Sequence, residues 1–188
     1  MRIDYQTAQH HVAMRDGLPS AIRPTLIEES ESDWSQHPRF AGKARFFMGI
    51  HRNLLDGAAT LARTLEGMLD RPEGDQADLI GDSNLLHGAK GLIRFAHGHH
   101  EIEDHGYFPQ FIRLYPQLDR AMALLDGDHK VLDEALHGAE HALDALSMGA
   151  SRDRVAALYT HAAALEKIMN RHITDEEEVI IPIFLRHG

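Results

Sequence analysis

The chain has 188 residues, 43% of them hydrophobic and 26% charged, so it is long enough to bury one sizeable core. Its formal net charge of -10 would repel a phosphate backbone, and the absence of cysteine excludes disulfides, thiolate metal sites and thiol redox chemistry. We therefore predict one globular domain that does not bind nucleic acid and that holds any metal ion through nitrogen and oxygen atoms.

The first 38 residues are predicted to form an N-terminal helix and arm in front of the main domain, which spans residues 39–188. Residues 5–17 are interpreted as a short helix, and an irregular acidic segment over 28–33 leads to Trp34. We expect the arm to pack on the main domain or on another subunit. A homodimer or a protein partner would be reached through this arm.

No membrane span or signal peptide is expected. The start of the chain is polar, and the longest apolar stretch, residues 179–185, is interrupted by Pro182. Together with the missing cysteines, this predicts a cytoplasmic location.

Stretches without proline predict four long helices in the main domain. They lie within residues 39–71, 73–108 and 117–181, and the last stretch is divided where Gly149 can close one helix and Ser151 can cap the next. Apolar residues recur at three- and four-residue steps along each helix. Because the connections are short, successive helices must run antiparallel. The predicted fold is all-α, an antiparallel up-down-up-down four-helix bundle.

A histidine and a glutamate recur at the same spacing in two of these helices. The second helix contains His99-x3-Glu103 and the fourth contains His172-x3-Glu176, each followed six residues later by proline. Residues four apart lie on one helix face, so each pair presents an imidazole and a carboxylate toward one point. Apolar neighbours indicate that both pairs face the core: Phe95, Ala96 and Ile102 in one helix, and Leu165, Ile168, Met169 and Val179 in the other.

The repeat extends to the first and third helices, which carry lone histidines. His51 and His129 are each followed three residues later by leucine, and they precede the paired histidines by 48 and 43 residues. Two helical hairpins, each with one lone histidine and one His-x3-Glu pair, would meet about a pseudo-twofold axis. Since two buried carboxylates near each other are costly without a counter-charge, divalent cations are expected between them.

This order of residues resembles the hemerythrin-like, or HHE cation-binding, family over about residues 42–187. The resemblance implies a pair of iron ions, Fe2+ or Fe3+ with an oxo or hydroxo bridge. The ligands that it implies are His51, His99, His129 and His172 as terminal ligands and Glu103 and Glu176 as bridging carboxylates. Manganese or zinc would also suit this mixed imidazole and carboxylate set.

The chain departs from the oxygen carriers of that family in two places. The carriers have His-x3-His on the third helix, whereas here Asp133 stands at the second position. Their fourth helix has His-x4-Asp, whereas here both Glu176 and Glu177 are within reach, so the second bridge is left open. Whether Asp133, His100 or Tyr107 adds a ligand is also left open.

A site with four histidines leaves positions open on both irons, which favours reaction of bound dioxygen or peroxide over reversible carriage. We predict a non-haem di-iron protein that binds and reacts with dioxygen or peroxide, in oxygen or redox sensing or in peroxide removal. One alternative is a di-iron oxidase or oxygenase acting on a small organic substrate. Another is a non-catalytic, metal-dependent module for interaction or iron handling. The sequence names no catalytic residue and does not decide whether the protein is an enzyme.

Overall fold

The computed structural model describes residues 3–72, 75–82 and 84–187. Helix makes up 79% of the structure, and no strand occurs in the residues that it describes. The prediction of an all-α protein is therefore confirmed. The α-helices of the described residues are α1 (Arg45–Leu69), α2 (Gln76–Asp82), α3 (Leu85–Ile102), α4 (Phe108–Leu114), α5 (Asp119–Ser147) and α6 (Arg152–His187).

The arm is less regular than predicted. Residues 5–17 form successive turns in place of the predicted short helix, and the regular elements that follow are 3-10 turns at Arg23–Thr25 and Glu31–Gln36. A helix of this length is marginal by itself in water. Here the side chains of Tyr5 and Arg15 are held by hydrogen bonds to distant carboxylates, and these contacts determine the path of the chain.

The junction between α5 and α6 agrees with the sequence. Gly149 has a φ of 157°, outside the range that residues with a side chain readily adopt. The Arg154 backbone N–H donates to Ser151 Oγ at 3.3 Å, so Ser151 caps the start of α6. Both predicted boundary residues therefore act as expected.

The second predicted helix, 73–108, is interrupted; residues 73, 74 and 83 lie outside the described residues. A π-helical turn, Glu103–Tyr107, separates α3 from α4. Pro109 follows this turn; proline has no N–H to donate, and in a regular helix its ring clashes with the carbonyl four residues earlier. In contrast, α6 continues through Pro182. The first glutamate of the repeated motif thus begins a π turn, whereas the second lies within a regular helix.

Contacts divide the chain into two compact units, each with a stretch of α1, α3, α5 and α6. The first unit comprises Met1–Asn53, His100–Lys130 and Asn170–Gly188, and the second comprises Leu54–His99 and Val131–Met169. Phe47, Phe108, Phe111 and Phe184 are buried in the core of the first unit, which also includes Trp34 of the arm. Leucine is the commonest buried residue in the second unit, as at Leu54, Leu61, Leu65, Leu85, Leu92, Leu132, Leu136, Leu143, Leu146, Leu158 and Leu165. The bundle topology and the boundary at residue 38 stay predictions.

The buried face of α3 is rotated relative to the predicted one. Ala96 is buried as expected, but Phe95 and Ile102 are exposed. At 3.6 residues per turn, both exposed residues lie on the flank of a face that runs through Ala96, His100 and Glu103. Within the described residues, no helix has the length and apolarity needed to cross a membrane.

Candidate metal centre

The first unit brings together five of the six predicted metal ligands. His51 lies in α1, Glu103 begins the π turn after α3, His129 lies in α5, and His172 and Glu176 lie one turn apart in α6. All five side chains are buried. These donors come from four separate helical segments, so their convergence depends on packing.

Each of the two glutamates lies between imidazoles of different helices. Glu176 Oε2 is 3.2 Å from His51 Nε2 and 3.6 Å from His172 Nε2. The oxygens of Glu103 are 4.0 Å from His51 Nε2 and 3.5 Å from His129 Nε2. The Nε2 atoms of His129 and His172 are themselves 3.2 Å apart. Nitrogen and oxygen donors thus face one small volume, as a bound cation requires.

The sixth predicted ligand, His99, is the last residue of the second unit and is also buried. It lies on α3, which runs without a break into His100 and Ile102. Four residues separate His99 from Glu103, so the helix carries both side chains on one face, one turn apart. The chelating pair of His99 and Glu103 stays a prediction from this spacing.

His100 was left open as a ligand, and the structure places it inside the site. Its ring stacks on His129, with centroids 4.3 Å apart and planes inclined by 16°, and meets His172 edge-on at 5.8 Å. The donor atoms of these three histidines lie within 4.8 Å of one another. The same limit holds for His51, Glu103 and Glu176. His100 was not predicted as a ligand because the apolar Phe95 and Ile102 indicated a different buried face of α3.

The other open candidates are placed differently. The Asp133 carboxylate, 46% exposed, accepts a hydrogen bond from His97 Nδ1 at 3.0 Å within the second unit. The Tyr107 ring packs edge-on against Phe47 and Phe184. Neither residue is among the clustered donors in the part of the chain that the structure describes.

A carboxylate bonds to the Nδ1 atom of three of the clustered histidines. The pairs are His51 with Glu177 at 2.9 Å, His129 with Asp104 at 2.7 Å and His172 with Asp128 at 3.2 Å. An ionised carboxylate only accepts, so Nδ1 carries the proton and the Nε2 lone pair is left for a cation. Carboxylates in this position orient the imidazoles that bind metals.

Glu176 and Glu177, which spacing alone could not separate, have distinct environments. The Glu176 carboxylate is fully buried and faces the Nε2 atoms of His51 and His172. The Glu177 side chain is 20% exposed and bonds to the opposite nitrogen of His51. The geometry therefore favours Glu176 as the bridging position and gives Glu177 an orienting one.

The site holds more protons than its residues would bind in water. Burial, reinforced by the charge of Glu176, raises the pKa of Glu103 to about 8. Burial alone would lower the pKa of His51, but hydrogen bonds with Glu103, Glu176 and Glu177 raise it well above its ordinary value. A divalent cation among these groups would replace the protons and satisfy the same negative charge.

We expect the metal-free protein to lose stability as the pH rises from about 6 to about 9, measured as the urea midpoint. The raised pKa of Glu103 adds to the free energy of unfolding fully below the ordinary pKa of 4.5, and this stabilisation is lost as the pH rises through about 8. The stabilisation from His51 is complete below pH 6.5 and is lost as the pH rises through the raised pKa of His51. Between the ordinary and the raised pKa of each group, the folded state binds more protons than the unfolded state, so the free energy of unfolding falls as the pH rises. Glu103→Gln should flatten part of this slope, and a midpoint that rises over the range would contradict the expectation.

An all-α protein with buried, converging imidazoles and carboxylates belongs to the class of helical metal-binding proteins. Comparison with protein families matches residues 42–184 to the Hemerythrin HHE cation binding domain. The match covers more than half of the chain, which therefore belongs to this family, as the repeated motif predicted. Neither the curated proteins nor the solved structures yielded a match. Membership of the family and the clustered donors together imply metal binding.

Proposed function

We propose that this protein binds two iron ions through its clustered histidines and glutamates and reacts with dioxygen or peroxide, in sensing or in peroxide removal. The observation that carries the proposal is the position of the two glutamates. Each carboxylate lies within 4.0 Å of imidazole nitrogens from two different helices. This is the arrangement expected of carboxylates that join two neighbouring cations.

The donors divide into two groups that share the glutamates. In the proposal, His51 would hold one ion, and His99 stays the further ligand predicted from its spacing with Glu103. Glu103 and Glu176 would serve both ions. The second ion would be held by His100, His129 and His172, whose donor atoms lie within 4.8 Å of one another. Imidazole and carboxylate suit iron, and manganese and zinc accept the same ligands, so the choice of iron rests on the family and the chemistry it carries.

The surroundings of the site support a reaction with a small molecule. Bound iron would supply the electrons for reduction of dioxygen or peroxide. Phe108 stacks parallel to His129, with ring centroids 5.4 Å apart, and Phe47 meets His51 edge-on at 5.1 Å. These rings place apolar surface against the two imidazoles.

A pocket in the first unit reaches residues that contact His129. It has a volume of about 220 Å3 and is lined by Asp104, Phe108, Pro109 and Met122 among others. Asp104 and Phe108 are the lining residues that contact His129, so the pocket leads to the edge of the proposed site.

We also propose a location in the cell and a class of partner that the protein does not bind. The lack of cysteine supports a cytoplasmic location, and the net charge of -10 argues against nucleic acid as a partner. We further propose that any homodimer or protein complex would form through the acidic arm. Chromatography coupled to light scattering would measure this association directly.

The test of the proposed function is metal analysis of the purified full chain after reconstitution with Fe2+, together with ultraviolet–visible spectra before and after air or hydrogen peroxide. We expect two irons per chain and a charge-transfer absorption that changes with the oxidant. His172→Ala should lose iron while keeping its helical circular dichroism. The matched control is His105→Ala, because His105 is exposed.

Three outcomes would overturn the proposal. One zinc per chain, or no metal, would remove the iron assignment. Two irons with spectra unchanged by both oxidants would favour the iron-handling alternative. If His172→Ala unfolds while His105→Ala does not, and the iron of the wild-type protein is inert, the metal has a structural role.

A further inference from the structure

The N-terminal arm inserts one charged side chain into the first unit. The Arg15 side chain is only 2% exposed. Its Nη1 and Nη2 atoms donate to both oxygens of Asp128 at 2.7 and 2.5 Å, and Nε donates to Asp175 Oδ2 at 2.8 Å. Nη1 also donates to the backbone carbonyl of His10 at 2.6 Å. This two-pronged contact uses the planar guanidinium, which lysine cannot reproduce.

Asp128 connects the arm to the metal centre. It precedes His129 in α5 and accepts a hydrogen bond from His172 Nδ1 at 3.2 Å. A second arm residue, Tyr5, donates its hydroxyl to the same carboxylate at 2.6 Å. Asp128 therefore has arm residues on one side and a proposed iron ligand on the other.

The contact between the arm and Asp128 pairs opposite charges and fits closely. The Asp128 carboxylate faces donors from Arg15, Tyr5 and His172 and lies beside the buried positive charge of Arg15. Its position lets it accept from His172 Nδ1 while it is held by the arm. Gly127 leaves room for the arm, because a Cβ at this position would overlap the ring of Tyr5.

We propose that Arg15 is a positioning residue of the metal centre, acting through Asp128 to fix the orientation of His172. This inference rests on the proposed function, since it assigns a role toward the bound metal. Arg15 lies before the family-matched region, residues 42–184, so the arm adds a contact from outside that region to a site whose proposed ligands all lie within it.

The proposal implies reciprocal coupling between arm docking and metal binding. If the docked arm strengthens metal binding by a given factor, metal must strengthen arm docking by the same factor. Loss of a residue that orients a metal ligand typically weakens metal binding about 10–100-fold. Bound metal should therefore favour the docked arm over the undocked arm by the same factor of about 10–100.

The first test measures Fe2+ affinity by chelator competition in the full chain with Arg15→Gln, with Arg15→Lys and with Arg23→Gln. Arg23 is the matched control, an arm arginine that is 54% exposed and pairs with Glu178 at 3.2 Å. We expect binding about 10–100-fold weaker for Arg15→Gln, partial recovery for Arg15→Lys and no change for Arg23→Gln. The absorption spectrum of the iron-loaded Arg15→Gln protein should also shift, which a purely structural role would not predict.

The second test needs no variant and covers the case in which Arg15→Gln fails to fold. Trypsin can cut after Arg15 only when the arm leaves its site, whereas the Arg23–Pro24 bond resists trypsin. We expect Fe2+ to slow release of the peptide that ends at Arg15, followed by mass spectrometry, by about 10–100-fold. Equal release with and without iron, or equal affinity in Arg15→Gln and Arg23→Gln, would overturn this inference and leave the proposed function standing. A wild-type chain that binds no iron would overturn both.

Discussion

Replacing Glu176 by glutamine is expected to remove most of the bound iron, whereas the same change at Glu177 keeps both ions. Glu176 is fully buried and approaches imidazoles of α1 and α6, so its loss removes a donor from both groups. A neutral amide cannot supply the missing charge, and the size of the side chain is unchanged. Glu177 only orients His51, so its change should weaken iron binding about 10–100-fold.

Iron content by mass spectrometry, followed by chelator competition, would measure both effects. The two variants are adjacent in α6 and identical in chemistry, so each is the control for the other. Circular dichroism would show that both keep their helices. If Glu177→Gln lost iron and Glu176→Gln retained it, the bridging role would pass to Glu177.

Replacing Asp128 by alanine is expected to lower the free energy of unfolding of the metal-free protein by about 3–5 kcal/mol. The change leaves the Arg15 guanidinium buried without the carboxylate that accepts two of its hydrogen bonds. Asp175 would still pair with Arg15 Nε, but the two Nη donors, the Tyr5 hydroxyl and His172 Nδ1 would all lose their acceptor. Buried polar and charged groups that lose a partner are costly because they stay out of water. Urea unfolding followed by circular dichroism measures the loss.

Asp126→Ala is the matched control, two residues earlier on the same helix. Asp126 is exposed at the side chain and pairs with Lys130 at 2.6 Å, four residues along α5. Exposed pairs of this kind contribute roughly 0.3–0.5 kcal/mol, so this variant should unfold close to the wild type. Equal losses for the two variants would show that the Arg15 contact contributes no more than a surface pair.

Much of the fold and most of the proposed ligand set could be predicted from sequence because both depend on local spacing. Pairs four residues apart, such as His172 and Glu176, share a helix face whatever surrounds them. The duplication of the His-x3-Glu pair, with His51 and His129 upstream, indicated that the helices act together. Gly149 and Ser151 marked the start of α6 for the same local reason.

The short helix predicted over 5–17 was wrong because side-chain contacts to residues more than 100 positions away outweigh a weak local preference. The predicted face of α3 was misplaced in the same way. Phe95 and Ile102 are apolar, yet they are exposed, and His100 points into the site in their place. Helical periodicity predicts that a helix has one buried face more reliably than it predicts which residues lie on that face.

The all-α class and the family could be read from the amino-acid sequence, and six of the seven proposed metal ligands were predicted from it, since these follow from residue type and helical spacing. The environments of Glu176 and Glu177, the place of His100 beside His129 and the link from Arg15 to His172 became visible in the folded chain. Those relations join segments far apart in the chain. Their geometry depends on how the helices and the arm pack, and no spacing along one helix encodes it.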